Sequence, residues 1–129
     1  MKENKMSDKE SYAVSDNQKT IIDIAVDSWR FSRIFLRALS KMDEVDASRY
    51  MSQLKYYLEK LEQNLETMGV KLVNLEGHPY DSGMAVKALN IEDFSSEDAL
   101  LIEQMLEPVI MGDEGLLRQG TVMLQKVNQ

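Results

Sequence analysis

The chain has no cysteine, two prolines, one histidine and one tryptophan in 129 residues. Without cysteine there is no disulfide, no thiolate zinc site and no sulfur nucleophile, and the composition agrees with a reducing compartment. His78 stands beside Pro79 in a run of turn formers. It lacks the second imidazole or thiolate that a transition-metal site needs, so it is assigned no chemistry, and no metal or other cofactor is expected. No run approaches the ~20 apolar residues that span a bilayer, and Met1 to Glu10 is polar where a secretory leader is apolar. A cytoplasmic location is the expectation. Positive charge is also short, since fifteen Lys and Arg against twenty-two Asp and Glu leave a net charge of -7. The summed field repels phosphate backbones and anionic membranes, so neither nucleic acid nor membrane is an expected partner. Gly-rich phosphate loops and nucleophile motifs are missing too. Glu92, Asp93, Glu97 and Asp98 lie in a polar run with no apolar wall to shift their pKa values. They read as a solvated acidic loop, and the chain is not expected to be an enzyme.

What is present begins with a seam. Met51, Leu54, Leu58, Leu61, Leu65 and Met68 recur at alternating three- and four-residue steps and stop at Gly69. A period of 3.5 belongs to a helix lying along another helix, and Gly directly after it is a left-handed stop. Upstream, from Lys19 to about Lys41, Ile21, Ile22, Ile24, Ala25, Trp29, Phe31, Ile34, Phe35, Leu36 and Leu39 occupy more than half of a helical circumference. Such a helix expects neighbours on two sides. Asp43 to Asp46 is a short polar connection in which Asp46 can cap the second helix, and a connection this short makes the helices antiparallel. A hairpin cannot cover both stripes by itself. A second copy, giving a four-helix bundle by two-fold symmetry, supplies the missing surface, with the six seam residues at the dimer interface and Tyr50 and Tyr57 at its rim. Residues 1–18 are polar with scattered apolar positions and read as a disordered leader.

Beyond Gly69 the period changes. Val70 to Leu75 reads as a short strand, Gly77 to Gly83 as turns, Met84 to Leu89 as a second apolar stretch and Thr121 to Val127 as a closing strand. Between Ser95 and Glu107 the local signals favour helix, because Ser96 followed by Glu97 and Asp98 resembles a helix start. Trp29 is expected to pack. The nine methionines read as core filling, since Met51 and Met68 are seam positions and Met105 and Met123 alternate with other apolar residues.

Four segments together resemble the GrpE family of nucleotide-exchange factors. They are the end of the seam helix into Gly69-Val70, then Gly77-His78-Pro79-Tyr80-Asp81, then Ile102 to Glu107, and last Leu116-Leu117-Arg118 with Thr121 to Leu124. That family follows a helix pair with a Phe-Gly-Val-type junction, a Gly-x-Pro-Phe-Asp-Pro turn, a Val-x-Glu-Val-Leu strand and an Arg-x-Leu-Arg segment before an apolar last strand. Order and spacing match over about Asp23 to Lys126, and the specificity lies in four matches in register. The resemblance makes Leu101 to Leu106 a strand, with tertiary context overriding the local helix signal. Three positions depart from the family: Ser82 replaces the second Pro of the turn, Ala85 stands near a family His, and Gly115 stands at the first Arg. The long paired helices that precede the family's bundle are missing, so the resemblance is to a short form.

The expected architecture is therefore α+β. A hairpin over 19–69 dimerises into a four-helix bundle and carries a small C-terminal β domain over 70–129. The resemblance implies that this β domain binds the ATPase domain of a DnaK-type chaperone and promotes ADP release. It assigns the chaperone-facing surface to Gly69, Glu107, Pro108, Leu117 and Arg118, although Leu117 by its own pattern is a core residue. Two alternatives stand beside it: an adaptor of the same architecture without exchange activity, and an unrelated dimeric all-α structural protein in which Ser95 to Leu106 is a third helix.

Overall fold

The computed structural model describes residues 2–127, with side chains from residue 16 onward. Two helices are followed by two small three-stranded sheets. α1 (Lys2–Leu39) and α2 (Glu44–Glu66) form an antiparallel hairpin, with Phe35 edge-on to Tyr50 near the connection and Ile22 in one cluster with Leu65 at the far end. α1 starts well ahead of Lys19, where the apolar pattern begins. Its polar first part contains no Gly or Pro, and its three Lys and two Glu sustain helix once a turn exists. The cap of α2 is Asp43, not Asp46: the Asp46 amide donates to the Asp43 carboxylate at 3.0 Å. That bond favours the ionised form and holds the Asp43 carboxyl below its usual range.

β1 (Val70–Val73) pairs antiparallel with β4 (Val109–Gly112), which pairs antiparallel with β5 (Gly115–Arg118). In the other sheet β6 (Gly120–Lys126) lies between β2 (Val86–Ala88), its parallel neighbour, and β3 (Leu100–Glu107), its antiparallel one. The region whose local signals favour helix is thus a turn leading into strand. Ser95 to Asp98 closes on itself, with the Ser95 amide donating to Asp98 at 2.9 Å, and the apolar residues after it alternate across β3. This agrees with the strand over Leu101 to Leu106 and not with a third helix. The chain changes sheets at Pro108, which is buried and lacks the N–H that a continuing ladder would use. It crosses back at Gly120, where a Cβ would lie 2.8 Å from Met105 Cε and 3.0 Å from the Glu107 carbonyl. Glycine lets β6 lie close against β3 there and leaves room for Val109 of β4, whose Cγ2 a Cβ would meet at 3.0 Å.

The sheets and the hairpin share their cores. Trp29 is buried among Val86, Leu100, Ile102, Met105, Val109, Val122 and Leu124, and its Nε1 donates to the Met105 carbonyl at 3.2 Å. Ile22, Ala25 and Val26 of α1 close a second cluster with Leu65, Val70 and Ile110. The outer edge of β3 is closed as well. The Met105 amide donates to Glu76 at 2.8 Å, Glu76 pairs with Arg33 at 3.0 Å, and the Arg33 guanidinium lies 4.2 Å from the Trp29 ring centre. Further along, the backbone of Gly77, His78 and Tyr80 bonds to Leu100 and Ile102. An edge covered in this way offers no template for unwanted strand pairing. Among the described residues no helix is long and apolar enough to cross a membrane.

Candidate docking surface

The junction after α2 is built by one glycine. Thr67 to Gly69 turn the chain out of the helix with the Gly69 amide donating to Glu66 at 3.0 Å, and Gly69 takes φ 70°, a left-handed value that other residues adopt at a cost. Val70 then starts β1 and is buried. Against this corner lies the β4–β5 hairpin, whose two-residue turn, Asp113-Glu114, is flanked by the paired Gly112 and Gly115. Leu117 folds over Gly112 so closely that a Cβ there would meet its Cδ1 at 2.9 Å. Met68, Gly69, Leu116 and Leu117 border a cleft of about 360 Å³ with Asp113 and Glu114 at its rim. Met68, Leu116 and Leu117 are all exposed.

Beside the cleft, Arg118 is already engaged. It contacts Asp23 of α1 at 2.9 Å and Glu107 at 3.7 Å, and Glu107 also accepts from the Thr121 hydroxyl at 2.9 Å. Of the five residues assigned to the chaperone-facing surface, Gly69 and Leu117 share the cleft, while Glu107 and Arg118 form the neighbouring ion pair. Pro108 is buried. Leu117 is 39% exposed, so the expectation that it fills the core is corrected: β5 is an edge strand of its sheet. Met68 and Leu116 belong to this surface but were not assigned to it. The Gly-x-x-Gly spacing around Asp113-Glu114 is a hairpin signal that would have drawn attention to Leu116.

The six seam residues divide. Leu54 and Leu65 are buried within the chain, Leu58 and Leu61 are partly covered, and Met51 and Met68 remain exposed. Leu61 and Leu65 are taken up by the cluster with Ile22, Val26 and Val70, because the sheets fold back against the base of the hairpin. What stays uncovered is the opposite side of the hairpin. Ile24 and Phe31 are more than half exposed, and Phe31, Phe35, Leu54 and Tyr57 line an apolar groove of about 320 Å³. Phe31 stacks on Phe35, which meets Tyr50 edge-on, so the aromatic side chains form one continuous surface.

Asp98 accepts from the Ser95 amide and pairs with Lys126 at 3.4 Å, and the amide bond, more than the lysine, holds its carboxyl below the usual range. His78 is exposed, and its backbone serves the β3 edge. Among the described residues no group of three or more His, Asp or Glu is placed to hold a metal ion. Comparison with models of protein families, with curated proteins and with solved structures finds no match.

Proposed function

We propose that this chain is a GrpE-like nucleotide-exchange factor, which dimerises through its helical hairpin and uses the β4–β5 side of its sheets to bind the ATPase domain of a DnaK-type chaperone. The observation that carries the reading is the corner at Gly69. There the hairpin helix turns straight into a β module and presents exposed Met68, Leu116 and Leu117 around one cleft. Such a surface acts without bond chemistry. Bound more tightly to an open nucleotide cleft than to a closed one, it shifts the chaperone toward open by about tenfold for each ~1.4 kcal/mol of preference, and ADP leaves faster. Linkage then requires nucleotide to weaken the complex in return. Stiffness helps, since a wedge that yields transmits no preference, and Trp29 ties this β module to α1 from inside.

The dimer is read from the uncovered side of the hairpin. Ile24, Phe31, Tyr50 and Tyr57 are exposed around the groove that Phe35 and Leu54 line. A contiguous apolar surface of this kind is what the centre of a homodimer interface requires. Two hairpins joined across this side make a four-helix bundle, with Leu61 and Leu65 kept inside each chain.

One observation favours the adaptor reading as a second possibility. Gly115 stands where the family has its first Arg, and Arg118 is already held by Asp23 and Glu107. Release of a fluorescent ADP analogue from a DnaK-type ATPase domain, timed with and without the full chain, tests both. Release accelerated tenfold or more supports exchange. Tight binding with unchanged release leaves the adaptor, and no binding removes both.

A further inference from the structure

Arg30, Arg33 and Arg37 follow one another along α1 at steps of three and four, so their side chains form one line. That line is one wall of a cleft of about 350 Å³, and Leu106 and Glu107 stand in the other. Like charges so spaced repel and weaken a helix, and here little offsets them. Glu107, the carboxylate that faces the cleft, is engaged by Arg118 and Thr121. Arg33 is held over Trp29 and against Glu76, with its Nε buried and without an acceptor. Arg30 and Arg37 are exposed and make no ion pair among the described residues. A chain of net charge -7 thus keeps a local excess of positive charge beside exposed Ile34 and half-buried Leu106.

We propose that this cleft receives an acidic, partly apolar segment of another protein. Arg30 and Arg37 lie about 10 Å apart along the helix, close to the ~9 Å that three residues span in a polyproline-II segment, whose first and fourth side chains share one face. A segment with carboxylates at its first and fourth positions places one on each arginine, and an apolar residue between them rests on Ile34 and Leu106. Guanidinium groups bind carboxylates by paired, charge-assisted hydrogen bonds. A nucleic acid fits the same site poorly. The row of arginines is short, no aromatic residue lines the cleft for base stacking, and the charge of the whole chain repels a polyanion. The inference is independent of the exchange reading.

The test uses the full chain and the fluorescence anisotropy of a labelled peptide carrying Glu-Leu-Leu-Glu in a Gly/Ser frame. The chain is expected to bind this peptide, more weakly as salt rises. Arg30→Glu with Arg37→Glu is expected to weaken binding at least tenfold with an unchanged circular dichroism melt, because neither side chain has a partner to lose. Arg49→Glu with Lys55→Glu, the same charge change at exposed positions on α2, is expected to leave binding intact. The proposal is overturned by an equal loss in both double variants, by no peptide binding at millimolar concentration, or by preferential binding of a labelled oligothymidylate.

Discussion

The two sides of α1 are similarly apolar and end in opposite environments. Ile22, Ala25, Val26 and Trp29 are buried against the sheets, while Ile24, Phe31 and Ile34, interleaved with them in sequence, lie open. The difference is not in the residues. It comes from the sheets folding back onto one side of the hairpin, which leaves Ile24 and Phe31 on a side that no strand covers among the described residues. A helix apolar over most of its circumference announces more than one contact; α2 and the sheets each supply one, and the side carrying Ile24 and Phe31 stays open. The inner contact is structural, and the outer one is available for a partner.

That contrast can be broken from the inside first. Trp29→Ala removes a side chain that both fills the sheet core and donates to Met105, so it is expected to destabilise the fold by about 3–5 kcal/mol. Urea unfolding followed by circular dichroism checks it. A loss below about 1 kcal/mol would mean that the helices and the sheets are stable independently. Gly120→Ala comes next. Its methyl group meets Met105 and the Glu107 carbonyl at 2.8 and 3.0 Å, and the strain is expected to cost about 1–3 kcal/mol by the same measurement.

On the outer side the effects on folding shrink and those on association grow. Phe31→Ser is expected to change the stability of the single chain by no more than about 0.5 kcal/mol, because the side chain is 62% exposed. It is expected to weaken self-association tenfold or more in sedimentation equilibrium. Equal association of variant and parent would remove this face from the dimer. The smallest effect lies at the hairpin connection. The folded-state pKa of Asp43 is lowered chiefly by the Asp46 amide, so its contribution to stability is present above the ordinary carboxylate value of 3.8. It is lost as the pH falls through the lowered folded value. Asp43→Asn is expected to keep the cap and to remove that part of the acid dependence, as measured by thermal melts across this range.

Local chemistry made much of the fold legible. The stop at Gly69, the short hairpin connection, the alternation in Val70 to Leu75 and the closing strand all rest on residues acting on their immediate neighbours. The capping residue was misplaced by three positions because Asp43 and Asp46 are chemically equivalent, and only the helix bounds distinguish them. The docking surface was half legible. Gly69 announced itself as a helix stop and Leu117 entered only through the family resemblance, whereas the burial of Pro108 and the engagement of Arg118 by Asp23 depend on elements far apart in sequence.

Sequence alone determined that two amphipathic helices are followed by a glycine-punctuated β region, because periodicity and turn chemistry are properties of adjacent residues. Tertiary structure decided the rest. Whether Leu100 to Glu107 is helix or strand, which stripe of α1 the sheets cover and which arginines are left unpaired all depend on what lies across the fold. Burial against distant partners outweighs the small local preferences that a short segment carries.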